Sequence, residues 1–503
     1  MLPERMILMK SYWMENTTRP SFLNLNKNLE TDICIIGTGI TGIATAYMLL
    51  ESGLKTCMID KGEICSGVTE FTTAKITSQH GLIYKYLEDT FGIEFAKKYL
   101  NSNEEAIDTI EEIVEKEKID CDFMRTDNYI YTCKDEYITR IKDEAETLKK
   151  LGIEAELVEE VDLPFKIKLG IKVKNQAKFH PLKYLYRIVE ILKKNNVEIY
   201  TNSIVKKVEK QGEKYIIKTE EHAIEAKYVV MATHYPIKNF PGLHFLKMYQ
   251  DRSYEIAIEP RSKITQGMYI SAETPIASFR PIDEEIMIIG GQEHKAGENS
   301  KDLDVCYKSL ETYAKEIYPA MKVKYRWSTQ DCISLDKVPY IGDFSNLMPN
   351  LYIATGYKKW GMTTSHVAAA IIRDKILNKE NRYEEIYKAT RLSPLKNYKE
   401  FGNMMKQTVY SLGINKMKMP EYKFKDLNKN CGGVVEYKGK KVGAYKDQNG
   451  QVYLVKPYCK HLGCELSWNN LEKTWDCPCH GSRYDYTGKL ITEPATKDLE
   501  REE

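Results

Sequence analysis

Two short cysteine–histidine pairs near the C-terminus are the part of this sequence best suited to bind a metal. The pairs are Cys459-x-His461 and Cys477-x-x-His480, and 15 residues separate them. Each pair can lie on its own loop, with the two loops meeting at their tips. From the spacing alone, a zinc site with two cysteine and two histidine ligands is one interpretation. An iron–sulfur centre is the other.

A glycine-rich turn near the N-terminus has the residue types that bind a dinucleotide. Gly37, Gly39 and Gly42 form the G-x-G-x-x-G pattern between an apolar run and a helical stretch, and a second apolar run ends at Asp60. The glycines permit a tight turn and a close approach of a pyrophosphate, which the helix N-terminus attracts. A carboxylate at Asp60 can accept hydrogen bonds from ribose hydroxyls. The alternative is an ordinary strand–helix turn.

The number of such motifs indicates which dinucleotide is bound. No second G-x-G-x-x-G occurs in a strand–turn–helix setting, and IIGGQEHKAG at 288–297 lacks the pattern. An enzyme that binds both a flavin and a nicotinamide nucleotide through such folds needs two of them. One fold near the N-terminus therefore predicts FAD as a resident cofactor.

Composition and charge exclude several classes of protein. Of the 503 residues, 42% are hydrophobic and 29% are charged, which is typical of a globular protein of about two to four domains. A net charge of +2 without a long basic block argues against nucleic-acid binding. No apolar run approaches the roughly 20 residues of a membrane helix, and the N-terminus lacks the pattern of a secretory signal. We expect a soluble, cytoplasmic protein.

Local patterns predict the elements that position these residues. Residues 82–160 carry Glu, Lys and Ile at helical spacing, which predicts helices with solvated charged faces. Residues 241–330 contain runs such as EEIMIIGGQ that predict strands. A polar, lysine-rich connector covers 378–422. From residue 424 onward, short alternating runs broken by KGK and DQNG predict the hairpins of a small antiparallel domain.

Three more segments extend the nucleotide motif into a family resemblance. They are SGVTEFTTAKITSQHG (66–81), KYVVMATHYP (227–236) and NLYIATGYKKWGMTTSHVAAAIIRDKIL (350–377). Together they resemble the D-amino-acid-oxidase-like class of FAD-dependent oxidoreductases, which includes glycine and sarcosine oxidases. The resemblance implies an α/β, Rossmann-like FAD domain interrupted by a mixed-sheet substrate domain. It also implies that the last helix begins near the pyrimidine end of the flavin, where helix-end potential stabilises a reduced, anionic ring.

The glycine motif and this resemblance together give the predicted cofactor-binding residues. They are Gly37, Gly39, Ile40, Gly42, Asp60, Lys61, Thr73, Val205, Thr233, Gly356, Gly361, Met362 and Thr363.

The C-terminal motif is similar to a second family. C-x-H-L-G-C and C-P-C-H-G-S resemble the two loops of Rieske [2Fe–2S] proteins. The resemblance implies that two cysteines, Cys459 and Cys477, bind one iron and that His461 and His480 bind the other, which raises the reduction potential. It further implies a disulfide between Cys464 and Cys479. Hydrogen bonds from Ser482 and Tyr484 would raise the potential further. A proline loop is also implied, with Pro494 in place and Glu493 where glycine is usual.

The two resemblances define the expected domain boundaries. An FAD-dependent oxidoreductase covers 30–377. Its FAD domain is discontinuous, and its substrate domain fills the gaps. The expected segments are about 30–80, 165–240 and 330–377 for the FAD domain, about 82–164 and 241–329 for the substrate domain, 378–422 for the connector and 423–503 for the small all-β Rieske domain.

Candidates for the substrate site come from the flavin-associated segments and one arginine. Lys75, His80, Tyr357 and Trp360 lie within those segments, and each could equally be structural. Arg280 could hold a substrate carboxylate by a bidentate contact, the alternative being a surface arginine.

The combined sequence predicts a dehydrogenase. A small amine or amino acid would give two electrons to FAD, and FAD would pass them singly to the cluster and then to an external one-electron acceptor. We expect the histidine edge of the cluster to face that acceptor. A reductase working in the opposite direction is one alternative, and a soluble electron-transfer or redox-sensing protein is another.

Overall fold

The structure is a computed structural model, and it describes residues 10–297, 303–391, 402, 419, 420 and 422–502. Its helices, in chain order, are α1 (Tyr12–Glu15), α2 (Ile40–Met48), α3 (Tyr84–Phe91), α4 (Ile93–Lys116), α5 (Ile138–Leu151), α6 (Pro181–Lys194), α7 (Leu303–Ile317), α8 (Gly361–Ile376) and α9 (Glu384–Tyr387). Its strands, in chain order, are β1 (Leu29–Ile36), β2 (Thr56–Ile59), β3 (Lys75–Ile76), β4 (Met124–Thr132), β5 (Ala155–Val158), β6 (Leu169–Lys178), β7 (Glu198–Tyr200), β8 (Lys207–Gln211), β9 (Lys214–Lys218), β10 (Ala223–Met231), β11 (Met248–Glu259), β12 (Met268–Ser271), β13 (Ala277–Pro281), β14 (Met287–Lys295), β15 (Lys322–Ser334), β16 (Tyr340–Asp343), β17 (Leu351–Thr355), β18 (Cys431–Tyr437), β19 (Lys440–Lys446), β20 (Val452–Val455), β21 (Ser467–Asn469), β22 (Thr474–Asp476), β23 (Arg483–Asp485) and β24 (Leu490–Thr492).

A mostly parallel sheet carries the glycine-rich turn. Its strand order is β16-β17-β10-β1-β2-β7, with β16 antiparallel and the β8–β9 hairpin paired to the start of β10. The apolar run 33–36 is buried because β1 lies in the middle of this sheet, with α2 and α8 packed together beside it. The carboxyl ends of the parallel strands meet at one edge, where the chain turns into α2 and where open α/β sheets bind ligands. The predicted α/β architecture is confirmed.

The third glycine of the motif is required by packing. A Cβ atom added to Gly42 would lie 1.9 Å from the carbonyl oxygen of Gly37 and 3.3 Å from the side chain of Ile35. Helix α2 therefore starts directly on top of the turn. This close contact brings the first N–H groups of the helix to the edge of the sheet.

A second, mixed sheet forms the other half of the N-terminal region. Its order is β15-β11-β14-β13-β12-β4-β6-β3, with β5 paired to β6. Helices α3, α4 and α5 are amphipathic, as the spacing predicts, and α7 packs on β11 and β14. Strand β6 belongs to this sheet, although the sequence boundaries assign 165–240 to the FAD domain. Its antiparallel register with β4, from residue 178 back to residue 169, places it there.

The C-terminal domain is all-β, as its turn signals predict. Strands β18–β20 form one antiparallel sheet and β21–β24 form another. Its core contains Trp475 and Tyr484, which are fully buried, together with the cysteines of the metal motif. Of the predicted connector, residues 378–391 include α9, and most of the remainder lies outside the described residues.

The C-terminal domain is attached to the N-terminal region by a buried group of charges. Glu472 pairs with Arg252 of β11 and with Arg483 of its own domain, and it accepts a hydrogen bond of 2.8 Å from the hydroxyl of Ser328. The side chains of Arg252 and Glu472 are only 4% and 7% exposed. Because two cations and a hydroxyl surround it, the carboxyl of Glu472 has a lowered pKa of about 2. None of the described helices is both long enough and apolar enough to span a bilayer.

Gly42→Ala tests the contact between the turn and α2. The new methyl group would overlap the Gly37 carbonyl, so α2 must move away from the sheet edge, and we expect the purified protein to lose the flavin predicted there. Flavin absorbance per polypeptide measures this. Gly433→Ala is the control, because no atom lies within 4 Å of a Cβ at that position; full flavin content in both variants would contradict the packing argument.

Candidate active site and cluster site

A cavity of about 1110 Å³ lies where the two sheets and the C-terminal domain meet. Its volume exceeds that of most small-ligand pockets, which hold one drug-sized molecule in about 300–1,000 Å³. Eleven of the predicted cofactor residues line it, namely Gly37, Gly39, Ile40, Asp60, Lys61, Thr73, Val205, Thr233, Gly356, Gly361 and Met362. The fold thus gathers five separate chain segments around a single space that can hold a dinucleotide and a small substrate.

The two other predicted cofactor residues lie behind the cavity wall. Gly42 is buried within α2 against the turn. Thr363 is 1% exposed, and its hydroxyl lies 3.2 Å from His80 Nε2. Both support the wall rather than form it.

Asp60 has a structural task in addition to the one predicted. Its carboxylate accepts hydrogen bonds from the backbone N–H of Thr38 at 2.6 Å, from the Thr38 hydroxyl at 3.0 Å and from the backbone N–H of Gly62 at 2.9 Å. Burial raises the pKa of this carboxyl, and these hydrogen bonds oppose the rise. Asp60 therefore braces the glycine turn while its side chain lines the cavity.

Helix α8 begins at the cavity, as the resemblance implies. Gly361 and Met362 at its N-terminus line the space, and its first N–H groups carry the positive end of the helix dipole. Tyr357 lies just before the helix, and its hydroxyl is 3.0 Å from that of Thr41 in α2. A hydrogen bond thus ties the two helix starts together.

The five candidate catalytic residues separate into two groups. Lys75, His80, Tyr357 and Trp360 line the cavity. His80 stacks on Trp360 with 4.9 Å between ring centroids, and burial lowers its pKa to about 3, so it is a neutral packing group. Arg280 does not line the cavity. It is 2% exposed, lies 4.9 Å from the ring of Trp13 and donates a hydrogen bond to the carbonyl of Phe179 at 2.6 Å.

Lys75 is a titratable group of the cavity wall whose chemistry is changed by burial. Its ammonium donates to the carbonyl of Tyr269 at 3.1 Å and to the hydroxyl of Ser278. Burial lowers its pKa to about 7, and Arg280 adds to this effect while Glu255 opposes it. A lysine in this state exchanges protons near neutral pH.

The metal motif folds into two adjacent loops, and three of its four donor residues are buried while His461 is half-buried. Cys459 and Cys477 are free thiols that are 3% and 1% exposed. The imidazole rings of His461 and His480 lie 5.0 Å apart and nearly perpendicular. In both rings, Nδ1 is buried and has no hydrogen-bond partner among the described residues. Burial lowers the pKa of His461 to about 3 and that of His480 to about 4, so both rings are neutral, the form that binds a metal.

The side chains around these donors agree with the Rieske resemblance. The sulfur atoms of Cys464 and Cys479 are in contact, and both lie within 4.8 Å of the Cys477 sulfur. Tyr484 is fully buried, and its hydroxyl lies 3.5 Å from the Cys459 sulfur. Ser482 is also fully buried, and its hydroxyl accepts a hydrogen bond of 3.1 Å from the backbone N–H of Ala495 in the proline loop.

The other nitrogen of each histidine faces the N-terminal region. His461 Nε2 lies 2.9 Å from Asn239 Oδ1, and the His480 ring is hydrogen-bonded to the backbone of Phe245. Tyr235 is buried beside both rings, with centroid distances of 6.4 Å to His461 and 6.3 Å to His480. The expectation that this edge faces an external acceptor is therefore wrong, because the domain contact covers it.

Two more contacts join the cavity wall to the cluster domain. Gln330 lines the cavity and donates a hydrogen bond of 2.7 Å to the carbonyl of Gly481, the residue after His480. Lys61, next to Asp60, forms a 2.6 Å ion pair with Glu493 and donates to the carbonyl of Ile491. The unusual Glu493 thus anchors the proline loop to the nucleotide side of the cavity. Motif spacing carries no signal for such contacts, since each partner lies on a distant segment.

Comparison with known proteins also divides the chain into an N-terminal FAD-binding region and a C-terminal cluster domain. The family model described as FAD dependent oxidoreductase matches residues 32–375. The chain belongs to this family. A second model, Rieske [2Fe–2S] domain, matches residues 418–501. The putative Rieske 2Fe–2S iron–sulfur protein YhfW of Bacillus subtilis is 37% identical over 495 residues, which cover 98% of this chain and 97% of that protein.

Solved structures resemble the N-terminal region in fold. Glycine oxidase from Geobacillus kaustophilus matches with a TM-score of 0.63 at 15% identity, over 73% of this chain and all of that one. L-proline dehydrogenase from P. horikoshii matches with a TM-score of 0.61 at 17% identity, over 72% of this chain and 98% of that one. The protein is an FAD-dependent oxidoreductase with a Rieske domain, and its cofactors are FAD and a [2Fe–2S] cluster. The lined cavity suits the first, and the buried thiols and unpartnered Nδ1 atoms suit the second.

Ser482→Ala tests the hydroxyl beside the cluster loops. Loss of this hydrogen-bond donor should lower the cluster's midpoint potential while the cluster content stays unchanged, since all four donor residues remain. Redox titration followed by the cluster's electron paramagnetic resonance signal measures both quantities. Thr487→Ala, which removes a hydroxyl bonded to Asp485 instead, is the control and should leave the potential unchanged.

Proposed function

We propose that the protein is a dehydrogenase that oxidises a small amine or amino acid and passes the electrons within one chain from FAD to the Rieske cluster, and then to an external one-electron acceptor. The observation that carries this proposal is the covered histidine edge. At this edge, the ring nitrogens of His461 and His480 that do not face the cluster site are hydrogen-bonded to the FAD-binding region.

A short piece of chain after β10 connects the two redox sites. His234 lines the cavity, and Tyr235, the next residue, packs against both cluster histidines. A second connection is the hydrogen bond from Gln330, which lines the cavity, to the carbonyl of Gly481, the residue after His480. No second domain has to move for electrons to pass between the cavity and the cluster loops. This arrangement supports internal electron transfer over a separate, solvent-exposed cluster.

The predicted metal-site residues and the main flavin-site residues each have a role in this proposal. Cys459 and Cys477 hold one iron of the cluster, and His461 and His480 hold the other. A disulfide between Cys464 and Cys479 braces the two loops. The other residues bind the flavin, a cofactor that can accept two electrons from a substrate and release them singly. The glycine turn and Asp60 bind its nucleotide part, and the N-terminus of α8 stabilises negative charge on its ring.

Lys75 supplies the proton acceptor in this proposal. An amine is oxidised from its neutral form, so a proton must leave the substrate nitrogen before or during electron transfer. The Lys75 nitrogen lies in the cavity wall, and its pKa of about 7 lets it accept a proton at neutral pH. Its bonds to Ser278 and Tyr269 hold it in place.

Anaerobic stopped-flow spectroscopy tests the reaction itself. Glycine, sarcosine, proline, simple alkylamines and matched hydroxy acids are mixed with oxidised protein, and the flavin and cluster bands are followed separately. We expect an amine or amino acid to bleach the flavin, with cluster reduction following at a slower rate. Tyr235→Leu should slow only the second phase. Flavin reduction by NADH, by hydroxy acids alone or by electrons entering through the cluster would contradict the proposal.

The pH dependence of flavin reduction tests Lys75. Its pKa is lowered from the usual value, so the amine is neutral and able to accept a proton above about pH 7 and is protonated below it. The limiting rate at saturating substrate should therefore rise as pH increases through about 7. Lys75→Met should lower that rate by about a hundredfold or more and remove this rise. Lys75→Arg, which keeps the positive charge but cannot release a proton in this range, should behave like Lys75→Met.

A further inference from the structure

A glycine leaves a notch in the layer of side chains that the second sheet presents to the cavity. Gly290 of β14 is paired with Glu255 of β11 on one side and with Ser278 of β13 on the other. Directly opposed residues in antiparallel strands place their side chains on the same face. All three residues line the cavity. Because Gly290 has no side chain, a notch separates Glu255 from Ser278, and a Cβ at Gly290 would lie 3.4 Å from Glu255 Cγ.

The carboxyl group on one side of this notch has an unused oxygen. Glu255 is 4% exposed, and the hydroxyl of Ser253 donates to its Oε1 at 3.0 Å. Its Oε2 is buried and has no hydrogen-bond partner among the described residues. A buried polar atom without a partner is destabilising, and a ligand that donates a hydrogen bond to it removes this cost.

Three other acids of the cavity already have partners. Asp251 and Glu293 share the ammonium of Lys359, with 3.1 Å to the first. Glu273 accepts from the hydroxyl of Thr132 at 2.8 Å and from a backbone N–H. On the far side of the notch, Lys75 directs its hydrogens to Ser278 and Tyr269, and no ion pair joins it to Glu255 among the described residues. Glu255 is thus an acid of the cavity wall with a buried oxygen that has no partner among the described residues.

We propose that the Gly290 notch is the binding subsite for the substrate's nitrogen, with Glu255 accepting a hydrogen bond from the ammonium group of an alkylammonium substrate. This inference rests on the proposed function and deepens it, because it assigns the group that recognises the substrate's nitrogen. The notch provides room for the ammonium group, and Lys75 lies on its other side to accept the proton that the nitrogen releases. A hydroxy acid offers a hydroxyl donor to Glu255 but lacks the positive charge that pairs with its carboxylate.

The protonation state of Glu255 makes cation binding at the subsite depend on pH. Burial, the largest cause, together with Asp331, raises the pKa of this carboxyl to about 8, while Ser253, Lys359 and Arg252 oppose the rise. Lys75, on β3, also faces it. The carboxyl is therefore protonated at pH 7 in the empty site, and it must lose the proton to pair with a cation. Binding of an alkylammonium ion should release a proton at pH 7 and should tighten as pH rises toward 8.

The test uses a ligand that cannot react. tert-Butylammonium has no hydrogen on the carbon next to nitrogen, so it cannot be oxidised, and tert-butanol is its neutral counterpart of similar shape. Each is titrated into the full-length holoprotein at pH 8 while the flavin spectrum is recorded. We expect saturable binding of the cation and at least tenfold weaker binding of the alcohol. Glu255→Gln should weaken cation binding by about tenfold to a hundredfold and leave alcohol binding unchanged.

Two further variants separate charge from shape. Glu293→Gln removes a carboxylate that is already paired with Lys359 and should retain at least half of the cation affinity. Gly290→Ala keeps Glu255 but fills the notch, so it should weaken tert-butylammonium more than methylammonium. Equal cation affinity in wild type and Glu255→Gln, or no cation binding in wild type, would overturn the subsite. If the cation binds as expected but no amine reduces the flavin, the proposed function fails while the subsite stands.

Discussion

The buried carboxylate of Glu472 connects the two halves of the molecule. It belongs to the cluster domain, yet it is neutralised by Arg252 from the second sheet as well as by Arg483 from its own domain. Removing one member of such a buried group leaves an unpaired charge at a cost of about 3–5 kcal/mol, so the domain contact is strongly specified. Together with the Gln330–Gly481 and Lys61–Glu493 contacts, this attachment sets the position of the cluster loops against the cavity.

The same attachment explains how a two-electron site and a one-electron site can work within one chain. The loop that follows β10 leaves the FAD-binding sheet, lines the cavity with His234 and packs Tyr235 on the cluster histidines. Glycine at position 481 is needed for this contact, since a Cβ there would lie 2.7 Å from the side chain of Gln250. Because this contact covers the histidine edge, the proposed external acceptor would have to approach the cluster domain from another side.

Much of the candidate site could be predicted because the relevant residues are close in sequence. The glycine turn is followed at once by the helix whose N–H groups it presents, and each cysteine–histidine pair occupies one loop. Arg280 shows where such prediction fails. The strand runs predict β13 only coarsely, and Arg280 shares a sheet face with Ser278 but lies two residues further along the strand, where Trp13 and the carbonyl of Phe179 occupy its guanidinium outside the cavity. The role of Glu255 also escaped prediction, because an isolated acid in an apolar strand carries no motif.

The sequence by itself determined the chemistry that this protein can hold, because the glycine motif and each cysteine–histidine pair lie within short segments that local turns bring together. Spacing alone left zinc and an iron–sulfur centre open, and the residues around the pairs decided for the cluster through their resemblance to the Rieske family. Only the tertiary structure decided where that chemistry is directed. The histidine edge is turned inward, Glu493 is bound to Lys61, and a glycine in the middle strand of three leaves Glu255 with a free oxygen. These features arise from pairings between segments that are far apart in the chain, and local residue patterns do not encode such pairings.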